Sequence, residues 1–214
     1  MDLISGPDGA DWRVPVTELQ ERQRELSKTL ANHGMESALI DDPVELYWLT
    51  GGRQNGILLI GADGTGIETM HWVRRSLRRA LFESGGSDCP HNTMLQPRMG
   101  ALEDSLIEMG CSTKPAMLRD KIPAERLSYI NSRIGSLNGE IENCTSLIYG
   151  LREVKSRWEI GMHRESGKIN RKMFEAVAEA GSAGKTELEI ASVADSVSSC
   201  LLYTSDAADE TGRV

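Results

Sequence analysis

The sequence predicts an α/β protein in which a mixed β-sheet is flanked by helices and is followed by two further helices. Short apolar runs with the character of strands alternate with helix-compatible segments up to about residue 150, and the apolar pattern then becomes purely helical. The composition agrees with a folded domain, because 39% of the 214 residues are hydrophobic, 26% are charged and the net charge is −8.

The composition also excludes several classes of protein. No apolar run approaches the roughly 20 residues that a bilayer-spanning helix needs, and residues 1–16 are too charged for a secretory signal. An acidic chain without a basic run lacks the clustered Lys and Arg that neutralise phosphates in nucleic-acid binding. The four cysteines fit neither a zinc motif nor a disulfide framework, which favours a reducing compartment. We therefore expect a cytoplasmic protein that binds neither nucleic acid nor membranes.

The first elements are a helix and three strands. Thr17 and Gln20 form a capping box that predicts the start of the helix, and Gly34 predicts its end. Residues 44–49 are partly helical. The predicted strands cover residues 38–40, 57–60 and 67–73.

The glycine-rich segment between the second and third strands contains Asp63-Gly64, a strong signal for a hairpin. A phosphate-binding loop would need its glycines to lead from a strand into a helix, so that amide groups at the helix N-terminus face the phosphate. Residues 67–70, which follow here, are typical of a strand. The hairpin is therefore the better interpretation.

The later elements are mostly helical. Helix-compatible segments cover residues 76–83, 101–109, 123–134, 156–180 and 187–197, and strand-like pieces lie near 116–118 and 140–142. Capping boxes begin the last two helices, Ser156 with Glu159 and Thr186 with Glu189. The change of pattern places the end of the first domain near residue 150.

Cys89 and His91 are a candidate pair of metal ligands. Two ligands cannot complete a closed tetrahedral site, and the other cysteines and histidines do not lie at spacings typical of a metal motif. From its own pattern, the sequence predicts no metal site.

Five motifs stand in an order typical of one enzyme family. They are the run from Arg13 to residue 40, Tyr47-Trp48-Leu49-Thr50-Gly51, the hairpin at 57–64, Leu151-Arg152-x-Val154-Lys155-Ser156-x-x-Glu159-Ile160, and Gly184-x-Thr186-Glu187-x-Glu189-Ile190-Ala191. This order resembles the Xaa-Pro aminopeptidases, prolidases and creatinases, which have the pita-bread fold. On this resemblance, residues 1–150 are a creatinase-type N-terminal domain, and residues 151–199 begin a pita-bread catalytic domain that is incomplete here.

Residues 200–214 abandon the family pattern abruptly. The segment resembles the in-frame translation of a transposase-type sequencing adapter, and the alternative is a natural flexible terminus rich in small residues. We expect this tail to be non-native and the parent protein to continue beyond it.

The resemblance implies a hydrolase that removes an N-terminal residue preceding proline, with two divalent metal ions (Mn, Co or Zn) that share an attacking hydroxide. The metal ligands of the peptidases, two aspartates, a histidine and two glutamates, are expected beyond residue 199. We therefore expect this chain to hold no cofactor, to contain no assignable catalytic residue and to be inactive alone. The resemblance also implies a homodimer formed through the N-terminal domain, with a peptide or small molecule as substrate.

Glu45 and Arg53 are the candidate substrate-binding residues, because in this family a loop of one subunit approaches the active site of its partner. Glu45 matches an acidic position of some aminopeptidase P members, and Arg53 could bind a carboxylate through two hydrogen bonds. For each residue, a plain surface charge is the alternative.

The substrate class remains open between two kinds of enzyme. Gly52 and Arg53 depart from the usual Thr-Gly-Phe of the family, and an arginine suits the anionic substrates of creatinase-like or ectoine hydrolase-like members. A free-standing binding module without chemistry is a third alternative.

Overall fold

The computed structural model describes the backbone of residues 11–202 and the side chains of residues 11–199. One compact unit is Arg13–Val154, and the other comprises the described residues on either side of it, 11–12 and 155–202. The predicted boundary at residue 150 falls inside a helix, Thr145–Glu153, and the units divide just after that helix. Most of the predicted non-native tail, from position 203 onward, lies outside the described residues.

Four strands form the sheet of the first unit and confirm the predicted mixed arrangement. They are β1 (Ser37–Ile40), β2 (Gly56–Gly61), β3 (Met70–Val73) and β4 (Asn92–Leu95), in the order β1-β2-β3-β4. β2 is antiparallel to both β1 and β3, whereas β4 is parallel to β3. The antiparallel pairing of β2 with β3 confirms the predicted hairpin.

The structure corrects the strand predictions in four places. β3 begins at Met70 rather than at residue 67, because Thr65 turns back to bond with Ala62 and widens the connection. β4 is missing from the sequence prediction, since its residues are mostly exposed and form no apolar run. The pieces predicted at 116–118 and 140–142 pair over too few residues to form strands. They make isolated parallel bridges, Ala38 with Ala116 and Met117 with Asn143.

Six α-helices of the first unit surround the sheet. They are α1 (Val16–Asn32), α2 (Pro43–Thr50), α3 (Leu77–Glu83), α4 (Leu102–Glu108), α5 (Ala124–Arg133) and α6 (Thr145–Glu153), with short 3-10 helices at Gly86–Asp88 and Met99–Ala101. The Thr17 capping box is wrong, because Pro15 occupies the N-cap of α1 and Thr17 already lies in the first turn. Gly34 adopts φ +73°, a left-handed conformation that favours glycine, and so confirms the predicted end of α1.

Helices cover both faces of the sheet. Leu58 and Ile60 belong to a cluster of buried side chains with α1, α2 and α6, whereas Leu39 and Leu59 belong to a second cluster with α4 and α5. Each of these four side chains is almost completely buried. Full burial of a leucine or isoleucine contributes about 2 kcal/mol of hydrophobic free energy, so the two clusters hold the three layers together.

Two polar side chains of α1 fasten it to α2. Arg22 Nη1 donates to the carbonyl oxygen of Trp48 and Gln23 Nε2 to that of Leu49, each at 2.8 Å. These carbonyl groups lie in the last turn of α2, where no partner is available within the helix. The end of α2 is therefore held in place by α1.

The second unit contains two long helices, α7 (Arg157–Ala180) and α8 (Glu187–Leu202). Both predicted capping boxes are confirmed: the hydroxyl groups of Ser156 and Thr186 accept from the amide groups of Glu159 and Glu189, and the two carboxylates accept in return. None of the helices within residues 11–202 is long and apolar enough to cross a bilayer.

Candidate functional site

Several strand ends meet at one end of the sheet. Because β1, β2 and β3 are antiparallel neighbours, the carboxyl ends of β1 and β3 lie beside the amino end of β2. They border a cavity of about 280 Å³, which we name the strand-end cavity. Its lining consists of Asp41, Asp42, Pro43, Asn55, Gly56, Arg74, Lys121, Ile122, Pro123 and Arg126.

The acidic groups of the strand-end cavity already have partners. Arg126 donates two hydrogen bonds to Asp41 Oδ2, from Nε at 2.8 Å and from Nη2 at 2.6 Å. Asp42 Oδ1 caps α2 by accepting from two backbone N–H groups of the first turn, at 3.0 and 3.2 Å. Lys121 Nζ lies 3.3 Å from the same oxygen. These contacts stabilise the wall of the cavity.

Glu45 lies behind Lys121 and is completely buried. Its Oε1 accepts from Lys121 Nζ at 2.8 Å and from Arg152 Nη1 at 2.7 Å, while its Oε2 is buried without a hydrogen-bond partner among the described residues. Burial by itself lowers the pKa of Lys121, but the carboxylates of Glu45 and Asp42 outweigh it and raise the pKa. Glu45 is therefore not a plain surface charge, and its part in substrate binding stays a prediction.

The two cations on Glu45 should substitute for one another. We expect Lys121→Met or Arg152→Met alone to lower the free energy of unfolding by about 1 kcal/mol, because the remaining cation still compensates the buried carboxylate. The double variant leaves that carboxylate without a cation and should lose about 4 kcal/mol, more than the sum of the single losses. Urea titration followed by the fluorescence of the buried Trp48 and Trp72 measures these changes.

Arg78, an exposed arginine of α3, provides the control for this cycle. Arg78→Met should change the free energy of unfolding by less than about 0.5 kcal/mol. Strictly additive losses in the double variant would contradict the expectation that either cation alone can compensate Glu45.

Arg53 lies in the short connection between α2 and β2, whose backbone is held at successive residues. Gly51 adopts φ +71°, and the amide of Gly52 donates to the Thr50 hydroxyl at 3.2 Å. The amide of Arg53 donates to Glu83 Oε2 at 2.8 Å. The side chain of Arg53 is exposed, so a fixed backbone presents this guanidinium to solvent.

The structure does not bring the two predicted substrate residues together. Glu45 is buried behind Lys121, whereas Arg53 is exposed beyond the end of α2. Within the described part of the chain, no hydrogen bond or ion pair joins them.

A pair of buried histidines lies on the β3–β4 side of the sheet. The rings of His71 and His91 have centroids 5.7 Å apart, and His91 Nδ1 lies 3.0 Å from Gln23 Nε2. Both ring nitrogens of His71 and the Nε2 of His91 have no hydrogen-bond partner among the described residues. Burial lowers the pKa of His71 to about 4, and burial together with the neighbouring His71 lowers the pKa of His91 to about 3. Both rings are therefore neutral at pH 7.

The described residues contain no group of three or more His, Cys, Asp or Glu side chains placed to hold a metal ion. In the candidate pair, the Cys89 thiol donates to the carbonyl oxygen of His91 at 3.2 Å, and the His91 ring faces Gln23 and His71. These residues do not fit the two metal ions that the family resemblance implies.

The charged lining of the strand-end cavity was not predicted from the sequence. Asp41 and Arg74 directly follow β1 and β3, and Lys121 follows a predicted strand-like piece, so charges at strand ends are the available signal. No spacing in the sequence could have paired Arg126 with Asp41, because the two residues are 85 positions apart.

Comparison with known proteins concerns the fold. No protein-family profile matches the sequence, and no curated protein does. The Xaa-Pro dipeptidase from Bacillus anthracis superposes with a TM-score of 0.71 at 16% identity, over 84% of this chain and 48% of that one. The prolidase from Pyrococcus horikoshii has a TM-score of 0.68 at 16% identity, also over 84% and 48%. The chain has the fold of the prolidases and Xaa-Pro peptidases.

A third structure shows which part of the prolidase fold the sheet represents. The N-terminal domain of the cytoplasmic peptidase PepQ from Mycobacterium tuberculosis matches with a TM-score of 0.51 at 18% identity, over 61% of this chain and 98% of that one. The mixed sheet and its helices are thus a creatinase-like N-terminal domain. This chain spans about half the length of the two longer matched structures.

Proposed function

We propose that this chain is the N-terminal part of a dinuclear metal hydrolase of the Xaa-Pro aminopeptidase type. Such an enzyme removes the N-terminal residue that precedes a proline, and we place it in the cytoplasm. The observation that carries the proposal is the match of 84% of this chain to only 48% of the Bacillus anthracis and Pyrococcus horikoshii peptidases. In this view the sheet unit is the N-terminal domain, and α7 and α8 begin the pita-bread catalytic domain.

The contribution of this chain is then substrate access and assembly rather than bond cleavage. The described residues offer no cluster for a metal ion. In this proposal, the two divalent ions, Mn, Co or Zn, are held by the remainder of the intact enzyme. Two copies associate through their N-terminal domains, so that the exposed Arg53 of one subunit faces the active site of the other and binds a carboxylate of the substrate. Glu45 acts from behind, by holding Lys121 at the strand-end cavity.

A second candidate, a non-peptide hydrolase or lyase of the creatinase or ectoine hydrolase type, is favoured by one observation. Gly52 and Arg53 follow Thr50-Gly51 where the family usually has Thr-Gly-Phe, and the exposed guanidinium of Arg53 can bind a small anionic substrate as well as a peptide carboxylate.

The test is to recover the uninterrupted gene from source DNA and to assay its product with Mn²⁺, Co²⁺ or Zn²⁺. We expect the intact protein to hydrolyse Xaa-Pro dipeptides and the 214-residue chain to be inactive under the same conditions. Turnover of creatine or an acylated diamino acid instead would favour the second candidate. A natural stop codon near position 200 would contradict both candidates and leave a binding module without chemistry. Cleavage by the 214-residue chain alone would contradict the proposal that the catalytic residues belong to the remainder of the enzyme.

A further inference from the structure

Glu83, at the end of α3, is a buried carboxylate that does not line the strand-end cavity. Only 4% of this residue is exposed. Arg79 Nε donates to its Oε1 at 2.8 Å, and the backbone N–H of Arg53 donates to its Oε2 at 2.8 Å. Burial of a carboxylate costs free energy that an apolar side chain at the same place would not, so the contact with Arg53 has to offset a desolvation penalty.

The residues before Arg53 leave its backbone little freedom. A Cβ atom at Gly51 would lie 3.3 Å from side-chain atoms of both Val14 and Leu19, and the φ of +71° disfavours any other residue there. A Cβ atom at Gly52 would lie 3.2 Å from Glu83 Oε2. Glycine thus allows the connection to approach both α1 and the carboxylate of Glu83.

A rigid backbone that ends in an exposed arginine is suited to recognition. Immobilising a long side chain on binding costs conformational entropy, and a fixed backbone reduces what remains to be ordered. The planar guanidinium matches a carboxylate through two parallel hydrogen bonds, which makes its direction important. The carboxylate of Glu83 holds the backbone from which this side chain extends, because it accepts from the amide of the same residue.

We propose that Glu83 is the positioning residue for Arg53 and directs its guanidinium towards a carboxylate group of the substrate. The inference rests on the proposed function for the identity of the ligand, whereas the anchoring of the connection by Glu83 can be tested in this chain alone.

The first experiment measures amide hydrogen exchange in the 214-residue chain by NMR. Glu83→Ala should accelerate exchange of the Arg53 amide about tenfold or more, because the amide loses its acceptor. Glu83→Gln keeps an acceptor oxygen and should retain most of the protection. The amide groups of Ile57 and Leu59 in β2 serve as controls and should remain protected in both variants.

Unchanged exchange at Arg53 in Glu83→Ala would overturn the anchoring. If that variant fails to fold, Gly52→Ala provides the second measurement. Its Cβ atom would lie 3.2 Å from Glu83 Oε2 and crowd the contact between this carboxylate and the Arg53 amide. Exchange at Arg53 should therefore also accelerate, while β2 remains protected.

The second experiment uses the intact enzyme and an Xaa-Pro dipeptide with a free carboxyl group. Arg53→Ala and Glu83→Ala should each raise KM about tenfold with kcat nearly unchanged. The KM of the Arg53→Ala/Glu83→Ala double variant should not exceed that of Arg53→Ala, because both changes remove the same interaction. Glu83→Gln should have a KM close to that of the unmodified enzyme. With the carboxyl-amidated dipeptide, the same variants should have no effect. Arg78→Ala, an exposed arginine of α3, is the control and should leave both constants unchanged.

Outcomes separate the inference from the proposed function. Absence of any Xaa-Pro hydrolysis by the intact enzyme refutes the proposed function, while the exchange experiment still decides on the anchoring by Glu83. If the intact enzyme hydrolyses the dipeptide but KM is unchanged in Arg53→Ala and Glu83→Ala, the inference is overturned while the proposed function stands. The same holds if the two variants lower kcat instead and their effects are additive.

Discussion

Gly56→Ala should lower the free energy of unfolding of the first unit by about 3 kcal/mol. Gly56 begins β2 and pairs with Val73 of β3. A Cβ atom at this position would overlap the carbonyl oxygen of Trp72, and that oxygen belongs to the backbone of a central strand, which cannot move aside as a flexible side chain can. The strain must therefore spread into the β2–β3 pairing. Urea titration with tryptophan fluorescence measures the loss.

Gly150→Ala is the matched control for this substitution. Gly150 lies in α6, its φ is not positive, and a Cβ atom there would meet no atom within 4 Å. Alanine should leave the stability unchanged or raise it by up to about 1 kcal/mol, because glycine loses more backbone entropy than alanine in a helix. A loss of less than 1 kcal/mol in Gly56→Ala would mean that β2 and β3 separate more easily than their packing indicates.

Acidification from pH 7 to pH 5 should destabilise the first unit by about 4 kcal/mol. His71 and His91 have pKa values of about 4 and about 3 in the folded protein, against about 6.5 when unfolded. Between these values the unfolded chain binds protons that the folded chain does not, so the free energy of unfolding falls as the pH falls below about 6.5. At pH 5 each histidine contributes a loss of about 2 kcal/mol, and the loss increases until the pH approaches the folded pKa values.

Variants without these rings should lose most of this pH dependence. In His71→Phe/His91→Gln, the decrease in unfolding free energy between pH 7 and pH 5 should fall below about 1 kcal/mol, as measured by urea titration at each pH. His33→Gln is the control, because His33 is exposed at the end of α1 and its replacement should leave the wild-type pH dependence intact. The same steep loss in the double variant would assign the acid sensitivity to other groups.

Local patterns in the sequence were sufficient for features that depend on neighbouring residues. The capping boxes at Ser156 and Thr186 and the end of α1 at Gly34 each involve groups within a few residues of one another, and the structure confirms them. The Thr17 capping box failed because Pro15 is the N-cap, two residues earlier, a choice that residue type alone does not reveal.

Features that depend on distant residues could not be predicted in this way. β4 has exposed side chains and no apolar run, so its strand conformation comes from pairing with β3. The candidate site shows the same limit. Glu45 and Arg53 could be selected from the sequence as charges. The pairing of the buried Glu45 with Lys121 and Arg152, and the hydrogen bond from the Arg53 backbone to Glu83, could not.

By itself, the sequence determined the α/β class, the hairpin and the helical second part of this protein, because these follow from hydrophobic period and from contacts within a turn or two. Only the tertiary structure decided which charges are buried together and which remain in solvent. The reason is physical: the free energy of a charged group depends on its dielectric surroundings and partners, and these are brought from distant parts of the chain when the sheet and its helices pack.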